Sequence, residues 1–373
     1  MDDSRTSHGA FFSLLLGKGN GPLACELFFV KTITIVGGGL AGLFLGILLR
    51  RRGLPVIILE AGDYPRHKVC GEFISGAGIS LLSRMGMGSA LRSKGLLCAE
   101  TAQFFKEGSR SPKVFLPEPS WCISRWSLDA TMAETFRGLG GVIKTGIRDR
   151  QKELGEGWVN AGGRRRVPAK KAPWVGVKFH LASMPLMADL EMHFQGGAYV
   201  GICQVEEGRV NVCALVPRNR LPTNLSDDPI SAIANLFVSS LGTRMVGRER
   251  VPGSLTTVGG LDYLSSGDDG CQTGVCLGDT RGLIPPITGN GMSLALESAA
   301  LAATPLEAWA RGHHEWDGVS REIRLRMQSR FSRRLFYARW LQRILLSESV
   351  RSNRRFLLNR LPLLLPFAFR LTR

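Results

Sequence analysis

A glycine-rich turn and an acidic residue provide the clearest chemical signal in the sequence. Gly37, Gly39 and Gly42 have G-x-G-x-x-G spacing, and Glu60 follows 18 residues after the last of them. In such a turn the first glycine allows a sharp bend, the second lets the backbone approach a pyrophosphate, and the third lets a helix pack closely on a strand. A carboxylate at the next strand end accepts hydrogen bonds from a ribose diol and repels a 2′-phosphate. The pattern predicts FAD or NAD, rather than NADP, as the ligand of this turn.

The elements around this turn are predicted to form a strand–helix–strand unit. The β-branched run at 30–36 indicates a buried strand, residues 40–52 have helical periodicity and end before Gly53, and 55–60 indicate a second strand. This βαβ order places the glycine turn at the N terminus of the helix. Free N–H groups and the positive end of the helix dipole attract phosphate there.

The central part of the chain changes to a two-residue alternation, which is typical of an antiparallel sheet with one covered face. Within residues 174–217, one set of apolar side chains is predicted to share one face and a second set to share another. The two sets are Val175, Val177, Phe179 and Leu181, and Val210, Val212, Ala214 and Val216. Further on, residues 274–279 indicate a short buried strand, and 291–303 indicate a helix rich in small residues.

Positive charge is concentrated at the C-terminal end of the chain. Residues 318–373 contain 14 Arg and two acidic residues, so they carry +12 of the net charge of +17. Basic and apolar residues alternate in a predicted helix at 320–346, and 361–369 form a short apolar anchor. We predict that residues 318–373 contact an anionic membrane surface, with a helix packed back on the domain as the alternative. The remainder is weakly basic, so no specific nucleic-acid partner is predicted.

Composition excludes several classes of protein. Of the 373 residues 44% are hydrophobic, which excludes a mainly disordered chain, and no apolar stretch reaches the roughly 18 residues of a membrane span. The eight cysteines form no C-x-x-C pair and the N terminus lacks the charge of a secretory signal. We therefore predict reduced thiols and a cytoplasmic protein, peripheral on the inner face of the membrane through its basic tail. His67 and the pair at 313–314 lack a third ligand at a suitable spacing, so no metal is predicted.

Three further segments, together with the glycine turn, resemble one family. They are residues 64–75, which contain Pro-Arg-His-Lys-Val-Cys-Gly-Glu, residues 123–129 and residues 278–292. Jointly they resemble the geranylgeranyl-reductase-like branch of the para-hydroxybenzoate-hydroxylase superfamily of FAD proteins, over residues 31–303. The resemblance implies an α/β fold, with a Rossmann-like FAD-binding domain, an antiparallel β-sheet substrate domain and a C-terminal helical region.

This organisation divides the chain into five predicted segments. They are a disordered extension (1–29), with a translation start at Val30 as the alternative, the first part of the FAD-binding domain (30–165), the antiparallel substrate domain (166–250), the second part of the FAD-binding domain (251–310) and a basic C-terminal helical region (311–373).

The resemblance also implies roles for individual residues in binding FAD. Asp279, after Gly278, corresponds to the carboxylate that holds the ribityl chain, and residues 288–291 correspond to the loop whose N–H groups meet the pyrimidine edge of the flavin. Arg125 corresponds to a basic residue near the diphosphate and adenosine, with an Arg125–Asp129 ion pair as the alternative. The cofactor-binding candidates are Gly37, Gly39, Gly42, Glu60, Arg66, Arg125, Gly278, Asp279, Pro286, Gly289, Asn290 and Gly291.

The catalytic candidates come from the same resemblance. Arg66 and the turn Cys70-Gly71-Glu72 correspond to the segment that packs over the isoalloxazine ring. Cys70 and Glu72 are the predicted catalytic residues, with a purely structural thiol as the alternative for Cys70.

The resemblance implies an FAD-dependent oxidoreductase, for which three functions stay open. The first is a reductase that passes hydride from reduced FAD to a double bond of a lipophilic, isoprenoid or polyketide-like substrate. The second is a monooxygenase that uses oxygen on an aromatic or polyketide substrate; a halogenase is disfavoured because the sequence lacks a Trp-x-Trp-x-Ile-Pro motif. The third is a degenerate flavoprotein that binds membranes through its basic tail.

The expected partners are an electron donor and a lipophilic small molecule. NAD(P)H or a reduced carrier would supply electrons to FAD. The sheet at 174–217 is the expected substrate wall, and its candidate contact residues are Phe179, Phe194, Tyr199 and Cys203.

Overall fold

The computed structural model describes residues 30–148, 155–163, 173–237, 240–261, 274–282, 285 and 289–346. Three predictions lie outside these residues: the disordered extension at 1–29, the cofactor contact at Pro286 and the apolar anchor at 361–369.

A parallel sheet of five strands, called sheet A below, forms the nucleotide-binding core. Its strands are β1 (Ile33–Val36), β2 (Val56–Leu59), β7 (Val142–Lys144), β8 (Trp158–Asn160) and β14 (Val275–Cys276). Their order is β14-β8-β1-β2-β7, and every neighbouring pair is parallel. The β-branched runs of β1 and β2 pair from Ile33 opposite Val56 to Val36 opposite Leu59. The predicted strand–helix–strand unit is therefore confirmed, with β1 at the centre of the sheet.

Three helices pack together on the core of sheet A. They are α1 (Leu40–Arg51), α4 (Arg125–Gly138) and α7 (Gly291–Ala310), and α1 contacts both of the others. Gly46 of α1 lies against Phe136 of α4, where a Cβ would come within 2.7 Å of the ring. The absence of a side chain at this position allows the two helices their close approach. Two short helices, α2 (Ala77–Arg84) and α3 (Met87–Ser93), connect two strands of the second sheet and also contact this core.

The second sheet, sheet B, is larger and mixed. Its strands are β3 (Phe73–Ile74), β4 (Leu97–Lys106), β5 (Ser109–Arg110), β6 (Val114–Cys122), β9 (Trp174–Leu181), β10 (Leu190–Gln195), β11 (Ala198–Gln204), β12 (Val210–Pro217) and β13 (Thr256–Leu261). The order is β13-β9-β12-β11-β10-β4-β6-β3, with β5 beside β4. Among the strand pairs of sheet B within the described residues, only β10–β4 is parallel. Sheet B therefore joins strands that end before residue 123 to strands that begin after residue 173.

Sheet B crosses the predicted domain boundaries. Strands β3 to β6 belong to the segment 30–165, and β13 belongs to the segment 251–310, yet all five pair within sheet B. The substrate sheet is consequently wider than the predicted segment 166–250. The pairing of β10 with β4 explains the difference, because it adds strands that precede residue 123 to the antiparallel strands that follow residue 173.

Both faces of sheet B are covered around β9 and β12, which corrects the prediction of one covered face. The two apolar sets of these strands share a single face, because Val177 lies opposite Ala214 and Phe179 opposite Val212. The helices α5 (Pro229–Leu236) and α6 (Ser240–Met245) contribute to the core on that face. The opposite face carries Lys178, which is fully buried. The loop between β2 and β3 covers this second face.

The basic C-terminal helix, α8 (Trp316–Leu346), packs back on the core. Ile323, Met327 and Phe331 are buried. Glu297 of α7 binds the guanidinium groups of Arg330 and Arg334, each at 2.9 Å. The predicted alternative of a helix packed on the domain thus describes one face of α8. No described helix is long and apolar enough to cross a bilayer.

The described cysteines are mostly free thiols. Cys70, Cys98, Cys122, Cys203 and Cys213 are unbridged. Cys276 is disulfide-bonded, which differs from the prediction that all eight thiols are reduced.

Candidate active site and cofactor cleft

A cleft of about 1130 Å³ lies between the carboxyl ends of the strands of sheet A and the inner face of sheet B. Val36, Leu59 and Leu277 line it at or just after the ends of β1, β2 and β14. The crevice at the carboxyl ends of a parallel sheet is where open α/β folds bind their ligands. Clefts for drug-sized ligands run from about 300 to 1,000 Å³, so this volume suits a large ligand together with a smaller one.

The glycine turn has the steric features that its spacing predicts. Gly37 has a φ of +103°, and a Cβ there would collide with the carbonyl of Ala161. A Cβ on Gly42 would collide with the carbonyl of Gly37, so the helix packs directly on the turn. Gly39 differs, because a Cβ there would meet only the Nζ of Lys68, at 3.8 Å. The cleft beside Gly39 is therefore open, and α1 begins there with no side-chain cap on its N–H groups, as a phosphate site requires.

Glu60 is buried at the edge of this turn and lines the cleft. Its carboxylate accepts hydrogen bonds from the backbone N–H groups of Gly38 at 2.7 Å and Gly62 at 3.0 Å, and from Nη2 of Arg66 at 2.7 Å. These donors fix the carboxylate where a ribose diol would meet it. Arg66 accordingly lies at the Glu60 end of the cleft, and its Nε is buried with no partner among the described residues.

Two cations share one buried carboxylate beside the turn. Arg125 contacts Asp129 through Nε and Nη2, both at 2.8 Å, and Lys68 reaches the same carboxylate at 2.8 Å. Burial would raise the pKa of Asp129, but Arg125 and Lys68 outweigh it and lower the pKa to about 2. The alternative ion pair of Arg125 and Asp129 is thus present, but it is buried. It leaves one positive charge in excess beside Gly39, which suits a diphosphate.

The third predicted segment closes the cleft from the opposite side. Gly278, Asp279, Gly289 and Gly291 all line the cleft, and Asn290 is buried beside them. A Cβ on Gly289, whose φ is +64°, would collide with the ring of Phe73. The structure therefore brings this segment and the glycine turn to one cleft, although about 240 residues separate them in the chain.

The two predicted catalytic residues occupy different positions. Cys70 lines the cleft, and burial raises the pKa of its thiol, so the thiol is protonated at neutral pH. Glu72 does not line the cleft; it is fully buried and has a φ of +57°. The structure thus places Cys70, but not Glu72, within reach of a bound ligand.

Glu72 belongs to a buried polar cluster that sequence spacing did not reveal. Its carboxylate lies 3.0 Å from Nζ of Lys178 and 2.6 Å from Nε2 of His180, and it accepts the backbone N–H of Arg125 at 3.0 Å. Burial would raise the pKa of Glu72, but the hydrogen bond from His180 and the charge of Lys178 outweigh it and lower the pKa. Nζ of Lys178 also lies 3.0 Å from Nδ1 of His67, which lines the cleft. We call His67, Glu72, Lys178 and His180 the buried cluster.

The buried cluster offers a set of metal-binding atoms, but a lysine already lies among them. Ligand atoms of His67, Glu72 and His180 lie within 4.8 Å of one another. The ammonium of Lys178 contacts both Glu72 and His67, and His180 uses Nε2 to bind Glu72. A divalent ion would have to displace that ammonium and take a deprotonated imidazole. The negative charge of Glu72 is therefore balanced by the ammonium of Lys178 rather than by a metal ion.

The sequence did contain a signal for this cluster, namely two polar residues in an apolar strand, but such residues usually face solvent. Lys178 and His180 occupy alternate positions of an otherwise apolar strand, and this alternation is typical of a sheet with one face exposed to solvent. The loop at 67–72 covers these positions instead: Nδ2 of Asn211 donates to the carbonyl of Cys70 at 3.1 Å, and Sγ of Cys203 donates to that of Gly71 at 3.3 Å.

The four predicted substrate contacts are distributed over both faces of sheet B. Tyr199 lines the cleft, and Phe194 packs against it with ring centroids 6.1 Å apart. Phe179 lies in the core on the opposite face, and Cys203 is buried under the loop at 67–72. Of the four, only Tyr199 borders the cleft directly, while Met192, Leu215, Val258 and Leu261 also line it.

Comparison with known proteins agrees with this architecture. Residues 30–206 match the family model described as "FAD binding domain". Among solved structures, PqsL, a probable FAD-dependent monooxygenase from Pseudomonas aeruginosa, is 17% identical with a TM-score of 0.65, over 86% of this chain and 98% of that one. A flavoprotein/dehydrogenase from Cytophaga hutchinsonii is 13% identical with a TM-score of 0.67, over 91% and 96%.

A third similar structure is the flavin-dependent brominase Bmp2, which is 17% identical with a TM-score of 0.64, over 88% of this chain and 93% of that one. No curated protein matches this chain in sequence. At these identities the solved structures establish the fold alone, and the resemblance to geranylgeranyl reductases stays a prediction.

The residues around the cleft fit FAD. The open face of Gly39, the uncapped start of α1 and the excess positive charge at Lys68 and Arg125 fit a diphosphate. Glu60 fits a ribose diol, and Gly278, Asp279, Gly289 and Gly291 border another part of the same cleft. The match of residues 30–206 to the FAD binding domain agrees with this fit. FAD is thus the cofactor, and the chain is an FAD-dependent oxidoreductase.

Proposed function

We propose that this protein is an FAD-dependent monooxygenase that hydroxylates an apolar or aromatic small molecule. The observation that carries the proposal is the lobe of the cleft formed by sheet B. Met192, Tyr199, Leu215, Val258 and Leu261 line this lobe, and no described residue of sheet B that lines the cleft is charged. An apolar lobe next to the cofactor cleft favours a lipophilic ligand.

The names of two similar proteins favour oxygen chemistry over reduction of a double bond. One is a probable FAD-dependent monooxygenase and another a flavin-dependent brominase. In hydroxylation one atom of O₂ enters a C–H bond of the substrate and the other leaves as water, with two protons and two electrons consumed. Reduced FAD supplies the two electrons, and NAD(P)H or a reduced carrier restores them.

The chain's own residues hold and shield the reactants in this proposal. Glu60 would hold the adenosine ribose, Lys68 and Arg125 the diphosphate, and Asp279 the ribityl chain. Gly291 and Met292 line the cleft at the N terminus of the 20-residue helix α7. The positive end of that helix dipole favours negative charge on a reduced ring placed there.

Oxygen dependence separates this proposal from the reductase that the turn at 70–72 suggests. The FAD-loaded protein, reduced by light, would be mixed with 2-naphthol or with geranylgeraniol, once under ¹⁸O₂ and once without oxygen. We expect one ¹⁸O atom in an oxidised aromatic product, and no product without oxygen. Saturation of the isoprenoid under anaerobic conditions would instead support the reductase and overturn the proposal.

We further propose that α8 docks on an anionic lipid surface. Leu325, Phe336 and Trp340 are 59%, 65% and 56% exposed. At 100° per residue they lie within about 60° of one another around the helix, opposite the face that packs on the core. Arg333 and Arg343 flank them and are exposed. Exposed aromatic residues between arginines are typical of a helix that lies in a lipid interface.

Vesicle binding tests the lipid proposal with a matched control. The full chain is expected to sediment with phosphatidylglycerol vesicles and not with phosphatidylcholine vesicles. The double variant Phe336→Ser, Trp340→Ser should lose most of that binding, whereas Phe115→Ser should keep it, because Phe115 is 81% exposed but lies on β6 rather than on α8. Equal binding of the double variant and the wild type would contradict a role for this face.

A further inference from the structure

We propose that His67 is a catalytic acid–base group of the cleft and that Lys178 is the proton store behind it. This proposal deepens the proposed function and rests on it only for the identity of the substrate. The buried cluster joins the cleft to a proton-bearing side chain that solvent does not reach, since Lys178 and Glu72 are fully buried. His67 is its only member that lines the cleft.

The ring of His67 is held from three sides. Nδ1 lies 3.0 Å from Nζ of Lys178. The ring centroid lies 4.7 Å from that of Trp126, and the ring of His180 approaches it edge-on at 5.0 Å. Nε2 has no hydrogen-bond partner among the described residues and is not among the buried atoms. The geometry therefore leaves one ring nitrogen available to a ligand.

The lysine determines which ring nitrogen of His67 carries the proton. An ammonium has three N–H donors and no acceptor, so Lys178 must donate to Nδ1 of His67. Nδ1 is then the acceptor and the neutral ring carries its proton on Nε2. The same ammonium pairs with Oε1 of Glu72, and Oε2 accepts from Nε2 of His180. One carboxylate thus balances one ammonium, and the His67 ring that accepts from that ammonium is neutral.

The charges around His67 keep it neutral. Burial lowers the pKa of His67 most, Lys178, His180 and Arg209 lower it further, and Glu72 opposes them, so that the pKa is about 4. A neutral imidazole with Nε2–H can donate a hydrogen bond or a proton to an oxygen in the cleft.

The proton step balances without any change of oxidation state. His67 gives its Nε2 proton to an oxygen atom of the bound ligand, and Nδ1 takes a proton from Nζ of Lys178. His67 ends neutral with its proton on Nδ1, and Lys178 ends as a neutral amine beside Glu72. When the product leaves, solvent returns a proton through Nε2 and the transfers reverse. Glu72 and His180 act as positioning residues, since neither lines the cleft.

The tautomer of His67 can be measured without any substrate. In NMR spectra of the full chain with ¹⁵N-labelled histidine, we expect the signals of one neutral ring that is protonated on Nε2 at pH 7. These signals should be missing from the spectrum of His67→Gln. Its pKa should lie near 4 and rise by about one unit or more in Lys178→Met, because that variant removes a positive charge 3.0 Å away. A ring protonated on Nδ1 in the wild type, or a pKa unchanged in Lys178→Met, would overturn the proposal.

Metal analysis provides a second test that does not depend on a variant that folds. We expect less than one equivalent of zinc, iron or manganese in the purified wild type, and no shift of the His67 resonances on adding zinc. A stoichiometric ion that shifts both His67 and His180 would overturn the proposal, because the ion would replace the ammonium of Lys178.

Kinetics then tests the catalytic role. With 2-naphthol and FAD-loaded protein, His67→Gln should lower kcat about 100-fold, leave FAD content unchanged, and be partly rescued by imidazole in His67→Ala. Lys178→Met should lower kcat and alter its pH profile with little change in KM. His313→Gln, on an exposed site, is the control.

Unchanged kcat in His67→Gln would overturn the proposal. Absence of an oxygenated product from the wild type, with the expected tautomer, would refute the proposed function alone.

Discussion

Two buried glutamates, Glu60 in the lining of the cleft and Glu72 behind the lining, differ in where their partners come from. The side chain of Glu60 binds Gly38, Gly62 and Arg66, which lie 22, 2 and 6 residues away. That of Glu72 binds the backbone of Arg125, 53 residues away, and His180, 108 residues away. The first carboxylate is thus positioned by residues within or just after its own βαβ unit, and the second by the start of helix α4 and by strand β9 of the other sheet.

This difference has a functional consequence. Glu60 lines the cleft and can accept hydrogen bonds from a ligand. Glu72 does not line the cleft and instead compensates the charge of Lys178. One glutamate is therefore available to a ligand in the cleft, whereas the other balances a buried lysine behind it.

Neutralising each glutamate should separate the two roles most clearly. Glu72→Gln leaves Lys178 buried without its counter-charge, so we expect the free energy of unfolding to fall by about 3 kcal/mol. Glu60→Gln removes an ion pair whose arginine is 33% exposed, so we expect a loss of about 1 kcal/mol together with weaker FAD binding. Urea titration of both variants measures the difference. Equal losses would contradict the distinction between the two ends.

Acid titration should isolate the buried Asp129 at the diphosphate end. The pKa of Asp129 falls from 3.8 to about 2 on folding, so its stabilising contribution is present above pH 4 and is lost as the pH falls toward 2. The shift corresponds to about 2.5 kcal/mol. The difference in unfolding free energy between wild type and Asp129→Asn should therefore shrink between pH 5 and pH 2. Asp63→Asn, at an exposed site, should show no such trend.

Two alanine substitutions in the glycine turn beside Glu60 should separate an effect on stability from an effect on FAD binding. Gly37→Ala forces a φ of +103° and a clash with Ala161, so we expect a loss of about 2 kcal/mol in stability. Gly39→Ala meets no close neighbour and has a φ of −86°, so its stability should change by less than about 0.5 kcal/mol while FAD binding weakens. Thermal unfolding and the flavin absorbance of the purified proteins give both values. A stable Gly37→Ala variant would contradict the described turn.

The smallest effect is expected at Arg66. Its ion pair with Glu60 is one-third exposed on the arginine side, so Arg66→Gln should cost less than about 1 kcal/mol in unfolding free energy. The backbone N–H groups of Gly38 and Gly62 still hold Glu60 in this variant. A loss of unfolding free energy as large as that of Glu72→Gln would show that Arg66 belongs to a buried charge network, as Glu72 does.

The sequence by itself determined the elements whose chemistry is local. The βαβ unit, the turn at Gly37–Gly42 and the position of Glu60 follow from steric limits and hydrogen bonds within about 30 consecutive residues, so spacing is sufficient to predict them. The short motif at 278–279 could also be recognised, because a resemblance to known segments supplied what periodicity could not.

Only the tertiary structure decided the face of sheet B on which Lys178 and His180 lie buried. Alternation of polar and apolar residues states which side chains share a face, but whether that face meets water depends on what packs over it. Here the loop at 67–72 covers it, brings Glu72 to Lys178 and leaves His67 at the cleft. The burial of those charges depends on pairing between segments more than 100 residues apart, which no local pattern encodes.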